Sequence, residues 1–347
     1  MAIGARTKNI NERKKSVNGF SGKRVLVTGA DGFIGSHLVE RLIREGANVR
    51  AFCVYNSNGS YGWLDELDQN AVDQIDIRLG DIRDARSVRE AARGVETVFH
   101  LAALIAIPYS YQAPSSFIET NVNGTLNVLE ASRDNGSTRV VHTSTSEVYG
   151  TPHSVPINER HRLCGQSPYA ASKIAADQLC EAYARSFDVN VVTLRPFNTF
   201  GPRQSARAVI PTILGQLLTG CREVRLGSLS PKRDFTFVDD TVDGFVRMAN
   251  SADKPGSLIQ LGTGHAVSIG ELFDLCCEVT DSDAKAVDDK ARIRPDNSEV
   301  QVLLSEPARA AELLGWSPRT DLRSGLKLTA DWLRTRVDRI RASRYQR

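Results

Sequence analysis

The chain has no long apolar run, no paired cysteine spacing and no excess of charge of one sign. Its most apolar stretch, Val95 to Pro108, carries His100 and ends at a proline well short of the ~20 residues that cross a bilayer, so no membrane span is expected. The cysteines, Cys53, Cys164, Cys180, Cys221, Cys276 and Cys277, show no Cys-x-x-Cys spacing, and no apolar signal segment precedes the first strand-like run. A disulfide framework is therefore not expected, the thiols read as reduced, no metal site is expected, and a cytoplasmic location follows. Lys and Arg number 44 against 41 Asp and Glu, and a net charge of +3 lacks the concentrated basic field of a nucleic-acid binder. The expected partner is a small molecule. With 41% hydrophobic and 24% charged residues, the composition excludes disorder, collagen and coiled coil for the whole, and 347 residues at roughly 150 per domain point to two domains.

Residues 1–21 are polar and rich in Lys, Arg and Asn without a sustained apolar period, which reads as a mobile leader. From Lys23 a β-branched run, Val25-Leu26-Val27, leads into a glycine-rich turn and then Ile34 to Arg44 with apolar residues at helical spacing. Strand-like runs recur at Asn48 to Val54, Ile75 to Leu79, Thr97 to Leu101, Val140 to Thr143 and Val189 to Leu194, with helical patterns between most of them. This alternation predicts an α/β fold: a Rossmann-like, doubly wound parallel sheet covered on both faces, mainly within residues 22–195. Pro196, Gly201, Pro202 and Pro211 then interrupt the regularity, so residues 196–347 are expected to form mainly a smaller α/β substrate domain, with the chain crossing between the two. Amphipathic helices are expected around Pro307 to Leu314 and Leu322 to Arg336, followed by a solvated Arg-studded tail.

The turn Thr28-Gly29-Ala30-Asp31-Gly32-Phe33-Ile34-Gly35 spaces its glycines three apart. One glycine permits the tight turn, one lets backbone amides approach a pyrophosphate, and one lets helix and strand pack closely. The following helix aims free N–H groups and its positive end at the anion. Where the second strand ends, an acid commonly accepts the ribose hydroxyls of NAD, but here stand Cys53, Val54 and Tyr55, with Arg50 the nearby base. The choice between NAD and NADP is thus left open locally. Asp81 in Gly80-Asp81-Ile82 is placed to meet the adenine amine or to cap a helix.

Tyr169-Ala170-Ala171-Ser172-Lys173 puts a phenol and an ammonium four residues apart on one helix face. An ammonium there is expected to lower the tyrosine pKa from about 10, so that the phenolate can take a proton from a sugar hydroxyl. Upstream, His142-Thr143-Ser144-Thr145-Ser146-Glu147 sets a hydroxyl and a carboxylate at the C-terminal end of a strand, where open parallel sheets bind ligands. Thr145 can bond the reacting oxygen and Glu147 is a candidate base; alternatively Thr145 and Ser146 cap the next turn.

Taken in order with His100-Leu101-Ala102-Ala103, Asn121-Val122-Asn123-Gly124-Thr125, Arg195-Pro196-Phe197-Asn198 and Arg294-Pro295, these motifs resemble the extended short-chain dehydrogenase/reductase family, the NAD-dependent epimerases and dehydratases of nucleotide sugars. The resemblance runs from about Lys23 to Thr329. It implies that Gly29, Gly32 and Gly35 hold the pyrophosphate, Asp81 and Ile82 the adenine, and Lys173 the nicotinamide ribose, with Phe33, Ile34, Leu101, Ala102 and Ala103 also binding the cofactor. It further implies Tyr169 as the base for the carbon 4 hydroxyl, assisted by Thr145, and Asn198, Arg203, Arg233 and Arg294 as contacts of the substrate. Tyr61-Gly62-Trp63-Leu64-Asp65, Ala102 to Tyr111, Asn198 to Arg207 and Gly227 to Pro231 resemble the 4,6-dehydratases of nucleoside-diphosphate N-acetylglucosamine of the legionaminic-acid pathway type. In that chemistry Glu147 takes the carbon 5 proton. Ser146 stands where many hexose dehydratases carry the Asp that protonates the leaving hydroxyl, so Glu147 serves as base first and acid second. A decarboxylase of nucleotide glucuronates, a 4-epimerase and a dinucleotide-sensing scaffold are the competing expectations. The family also implies a homodimer joined through the helices after Thr120 and Tyr169, where Ala170, Ala171, Ala175 and Ala176 would allow close packing.

Overall fold

The computed structural model describes residues 19–136, 138–292 and 298–336. Its main layer is a seven-stranded parallel sheet of β1 (Arg24–Thr28), β2 (Asn48–Val54), β3 (Asp76–Gly80), β4 (Thr97–His100), β5 (Arg139–Thr143), β6 (Val191–Pro196) and β10 (Leu258–Leu261), in the order β10-β6-β5-β4-β1-β2-β3. The direction of winding reverses between β1 and β4, which opens a crevice beyond the carboxyl ends of these strands.

Alternate residues of β1 serve opposite faces, as strand pleating requires. Val25 and Val27 pack with Leu38 and Leu42 of α1 (Phe33–Arg44) and Phe245 of α9 (Val238–Asn250). Leu26 instead joins Val88 of α3 (Ala85–Ala92), Val128 of α6 (Gly124–Asp134) and Cys180 of α7 (Pro168–Phe187). Between β2 and β3 lie a 3-10 turn at Gly62–Glu66 and the short α2 (Gln69–Val72), while α4 (Ile107–Ser110) and α5 (Pro114–Phe117) follow β4. A π turn at Ile118–Asn123 joins α5 to α6.

The smaller layer contains β7 (Asn198–Phe200), β9 (Lys232–Phe237), β11 (Ala266–Ser268) and β13 (Val302–Leu303), plus the parallel pair β8 (Glu223–Leu226) and β12 (Lys285–Asp288). Three helices, α8 (Val209–Leu218), α10 (Ile269–Thr280) and α12 (Leu322–Arg334), pack on one another there, and α11 (Ala308–Leu314) lies against β10 and α9.

Some expectations shift. β10 comes from the C-terminal half yet extends the main sheet by pairing with β6, and α9 covers a face of that sheet, so the chain crosses back once the smaller layer has begun. At the other end of the chain, Phe20, expected in the leader, is 1% exposed and packs against Phe99; residues 1–18 lie outside the described residues, as do 337–347 of the expected tail. Ala170 and Ala176 turn inward at 1% and 0% exposure, whereas Ala171 is exposed and Ala175 half-buried on α7. All six cysteines are unpaired, and no described helix is long and apolar enough to cross a membrane.

Candidate active site

The glycine turn is sterically committed. Gly29 has φ +68°, and a Cβ on it would lie 2.8 Å from the Ala102 nitrogen; a Cβ on Gly35 would lie 2.1 Å from the Gly29 carbonyl oxygen. Gly32 begins α1 with no side-chain cap, so the first N–H groups of α1, from Phe33 to Gly35, lack a side-chain partner in the crevice. This uncapped N-terminus over a glycine cradle fits a dinucleotide pyrophosphate.

A buried relay fixes the strand ends beside it. The Ala102 N–H donates to Thr28 Oγ1 at 3.2 Å, which directs the Thr28 hydroxyl hydrogen to His100 Nδ1 at 2.9 Å. His100 Nε2 in turn donates to Thr125 Oγ1 at 3.0 Å, because the Thr125 hydroxyl is already donating to the Asn121 carbonyl at 2.6 Å. His100 is accordingly neutral: burial, and then the nearby His142 and Lys173, hold its pKa well below the ordinary value. The Asn121 amide, presented by the π turn, reaches the Leu104 carbonyl and Ser172 Oγ, both at 2.9 Å, and so ties the segment after β4 to α7.

Ser167 caps α7 through the Ala170 N–H at 3.1 Å, with Pro168 in the first turn. Tyr169, Lys173 and Asp177 then follow at four-residue steps on the inner face, at 7%, 4% and 6% exposure. Tyr169 meets the loop after β5, where Thr145 begins the 3-10 turn Ser146–Tyr149 and accepts the Glu147 N–H at 3.2 Å. The capping alternative is therefore realised, together with proximity to the phenol. Burial raises the Tyr169 pKa, the Thr145 hydroxyl bonds the phenol and lowers it, and the charges of Glu147 and Asp177 raise it again. The net direction is upward, contrary to the expected lowering by Lys173. The physical reason is first the burial of the phenol itself, with the Glu147 and Asp177 charges adding to it, while the Asp177 charge supports the Lys173 ammonium, whose pKa burial lowers.

Asp177 was not singled out in the sequence, and the structure makes it the centre of a second buried network. Its carboxylate accepts from Arg195 Nη2 at 2.6 Å, Ser144 Oγ at 2.6 Å and His142 Nε2 at 3.2 Å. Arg195 also stands 4.8 Å over the Tyr149 ring, and the Tyr149 hydroxyl donates to Gln260 Oε1 at 2.9 Å.

The surroundings of the other expected contacts differ from one to the next. Asp81 accepts three hydrogen bonds from Arg83 side-chain nitrogens, between 2.6 and 3.0 Å, and does not cap α3, which Asp84 does. Ile82 is buried against Gly124 beneath it. Leu101, Ala102 and Ala103 line the turn after β4, next to Gly29. Arg203, expected at a diphosphate, instead reaches back to α1, pairing with Glu40 at 2.7 Å and touching Ser36 Oγ at 3.3 Å; its positive φ of 68° turns the chain toward that helix. Arg233 is 6% exposed and paired with Glu299 at 3.1 Å. Asn198 sits at the start of β7 with a buried side-chain oxygen that no described group pairs. Arg294 lies outside the described residues.

A parallel sheet with an uncapped glycine turn, and a buried Tyr-x-x-x-Lys facing a Thr-Ser-Glu turn across the crevice, defines an NAD-dependent enzyme of the extended short-chain dehydrogenase/reductase class. The chain belongs to the GDP-mannose 4,6 dehydratase family, whose model matches residues 26–329. It is 35% identical over 321 residues to a UDP-glucose 4-epimerase of Mycolicibacterium smegmatis, covering 90% of this chain and 99% of that protein. Among solved structures it is similar to a dTDP-glucose 4,6-dehydratase of Streptomyces venezuelae with NAD bound, at 30% identity and a TM-score of 0.83, covering 92% of this chain and 100% of that one. It is also similar to TunA, an NAD-dependent hexosamine 5,6-dehydratase involved in tunicamycin biosynthesis, at 27% identity and a TM-score of 0.77, covering 91% and 100%.

Proposed function

We propose that the enzyme is a nucleotide-sugar 4,6-dehydratase whose substrate is a nucleoside-diphosphate N-acetylglucosamine. The observation that carries this reading is Glu147: the 3-10 turn holds its carboxylate close enough to the Tyr169 phenol for its charge to oppose ionisation there. A 4-epimerase needs no carboxylate at that place, and a decarboxylase needs no base at carbon 5. The N-acetyl group is supported by the likeness to a hexosamine dehydratase and by the segments that set this subfamily apart, Tyr61 to Asp65 among them.

A bound NAD would supply the hydride acceptor for carbon 4, the hydride source for carbon 6 and a positive charge in the crevice. Tyr169 takes the proton of the carbon 4 hydroxyl, with the Thr145 hydroxyl bonding the same oxygen. The resulting ketone makes the carbon 5 proton acidic, and Glu147 removes it. Ser146, at 3% exposure, is turned into the fold, which leaves Glu147 to return a proton to the departing carbon 6 hydroxyl. Lys173, braced by Asp177, holds the nicotinamide ribose. The same reading includes a homodimer formed through α6 and α7, where Ala171 and Ala175 leave room for close approach, and a cytoplasmic workplace.

The test is a panel of nucleotide sugars incubated in deuterated water and weighed. Loss of one water with solvent deuterium at carbon 5 is expected. Carbon dioxide release from a glucuronate, or inversion at carbon 4 without loss of mass, overturns the reading. Glu147→Gln should keep oxidation at carbon 4 while elimination falls by ~10² or more.

A further inference from the structure

The end of β2, where an acid would meet the adenosine ribose, carries Cys53 and Val54. The structure supplies a carboxylate at that place from another part of the chain. Asp31, in the middle of the glycine turn, accepts the N–H of Val54, the last residue of β2, at 3.4 Å. It lies close enough to Cys53 that its charge adds to burial in pushing that thiol up to about 12. Burial raises the Asp31 pKa itself, its own N–H and that of Val54 lower it, and no cation takes part.

The carboxylate is held in this place by the segment whose sequence stood apart. The Trp63 N–H donates to the Asp31 carbonyl at 3.0 Å. Gly62, at φ +62°, presses on the same residue: a Cβ there would lie 2.5 Å from the Asp31 carbonyl oxygen and 2.9 Å from the Asp31 Cβ. Trp63 meets Trp332 of α12 edge-on at 5.5 Å, and Arg336 just beyond α12 pairs with Glu66 at 2.9 Å. The Gly62–Glu66 turn is thus clamped between the C-terminal helix and the glycine turn. Meanwhile Arg50, the base nearest the end of β2, is committed to Asp76 at 2.7 Å and to the Ala91 carbonyl at 2.7 Å.

We propose that Asp31 is the specificity-determining residue for the dinucleotide: its carboxylate accepts the adenosine ribose hydroxyls in place of the missing acid on β2 and repels a 2′-phosphate, with Gly62 and Trp63 as its positioning residues. The inference rests on dinucleotide binding and on no step of the sugar chemistry, so it stands or falls separately from the dehydratase reading.

The experiment offers the purified full-length chain an equimolar mixture of NAD and NADP and reads the retained dinucleotide by native mass spectrometry, with no sugar present. The wild type should retain NAD over NADP by at least ~100-fold. Asp31→Asn, which keeps an oxygen for the Val54 N–H but loses the charge, should lower that ratio by tenfold or more, the span of a hydrogen bond to a charged group. Gly62→Ala should move the ratio in the same direction by displacing Asp31, and Asp31→Glu should restore most of the preference. A residue that merely braces the turn would change retention of both dinucleotides together. An unaltered ratio in Asp31→Asn, or equal retention by the wild type, overturns the proposal; should Asp31→Asn fail to fold, an unaltered ratio in Gly62→Ala does so.

Discussion

Replacing Asp177 by asparagine removes one negative charge at nearly constant volume, and the structure sets the size of the effect. Arg195, 2% exposed, finds its counter-charge in Asp177 at 2.6 Å; its other close neighbours are the Ser144 hydroxyl at 3.2 Å and the Tyr149 ring, neither of which carries a charge. Breaking a buried pair from one side leaves a stranded cation and costs about 3–5 kcal/mol. That is a fifth or more of the ~5–15 kcal/mol by which a folded domain is stable. Urea unfolding followed by circular dichroism should show the midpoint falling by more than about 1 M at a slope near ~3 kcal/mol/M. The cause is isolated by a cycle with Arg195→Met. In the double variant the Arg195 charge is no longer stranded, although the Lys173 ammonium still loses the Asp177 charge, so the loss should be smaller than the sum of the single losses by at least ~2 kcal/mol. A loss below ~1 kcal/mol in Asp177→Asn, or strict additivity in the cycle, refutes the reasoning.

Two further outcomes can be checked without substrate. Gly35→Ala places a Cβ 2.1 Å from the Gly29 carbonyl, so the turn must shift and NAD retention in native mass spectra should fall at least ~tenfold; full retention would show that the turn yields without cost. His142 is buried with its pKa held down to about 4 by burial and the Lys173 charge, against an ordinary 6.5. The unfolded chain takes up its proton below 6.5 and the folded chain only near 4, so this stability is complete above pH 6.5 and is lost as pH falls toward 4, by roughly 3 kcal/mol. Thermal unfolding of His142→Gln should be visibly less pH-dependent across that window than the wild type; identical slopes would reject the assignment.

Much of the sheet is legible in the chain because a parallel sheet buried on both faces demands near-continuous apolar runs rich in β-branched residues, and β1, β5 and β6 carry them. β10 escaped notice because Leu258–Leu261 is only four residues long and follows the proline-rich stretch that marks the smaller layer, so its membership is set by tertiary pairing with β6. The glycine turn and the Tyr169 to Lys173 spacing are local patterns, and local patterns survive translation into structure. Arg203 and Asp31 act across long sequence separations, on Glu40 and Val54 respectively, and nothing in the sequence next to either residue marks its partner. Asp177 did leave a signal: an acid one further turn along the stripe of Tyr169 and Lys173, on a face otherwise occupied by apolar residues such as Ala176 and Cys180.

Burial is the first reason the pairwise expectation for Tyr169 failed, and that acid adds to it: Asp177 supports the Lys173 ammonium while its own charge opposes ionisation of the buried phenol. Glu147 adds a second anion with the same sign of effect. The site therefore keeps Tyr169 protonated as long as its only charges are those of the chain, and favours the phenolate when additional positive charge enters the crevice. On the proposed mechanism Glu147, as the base for the carbon 5 proton, also helps hold Tyr169 in reserve, which would couple the two proton transfers through one electrostatic contact. If that coupling operates, Glu147→Gln lowers the pKa of Tyr169 as well as blocking elimination, and the pH profile of carbon 4 oxidation in that variant shifts toward lower pH; an unmoved profile would separate the two groups.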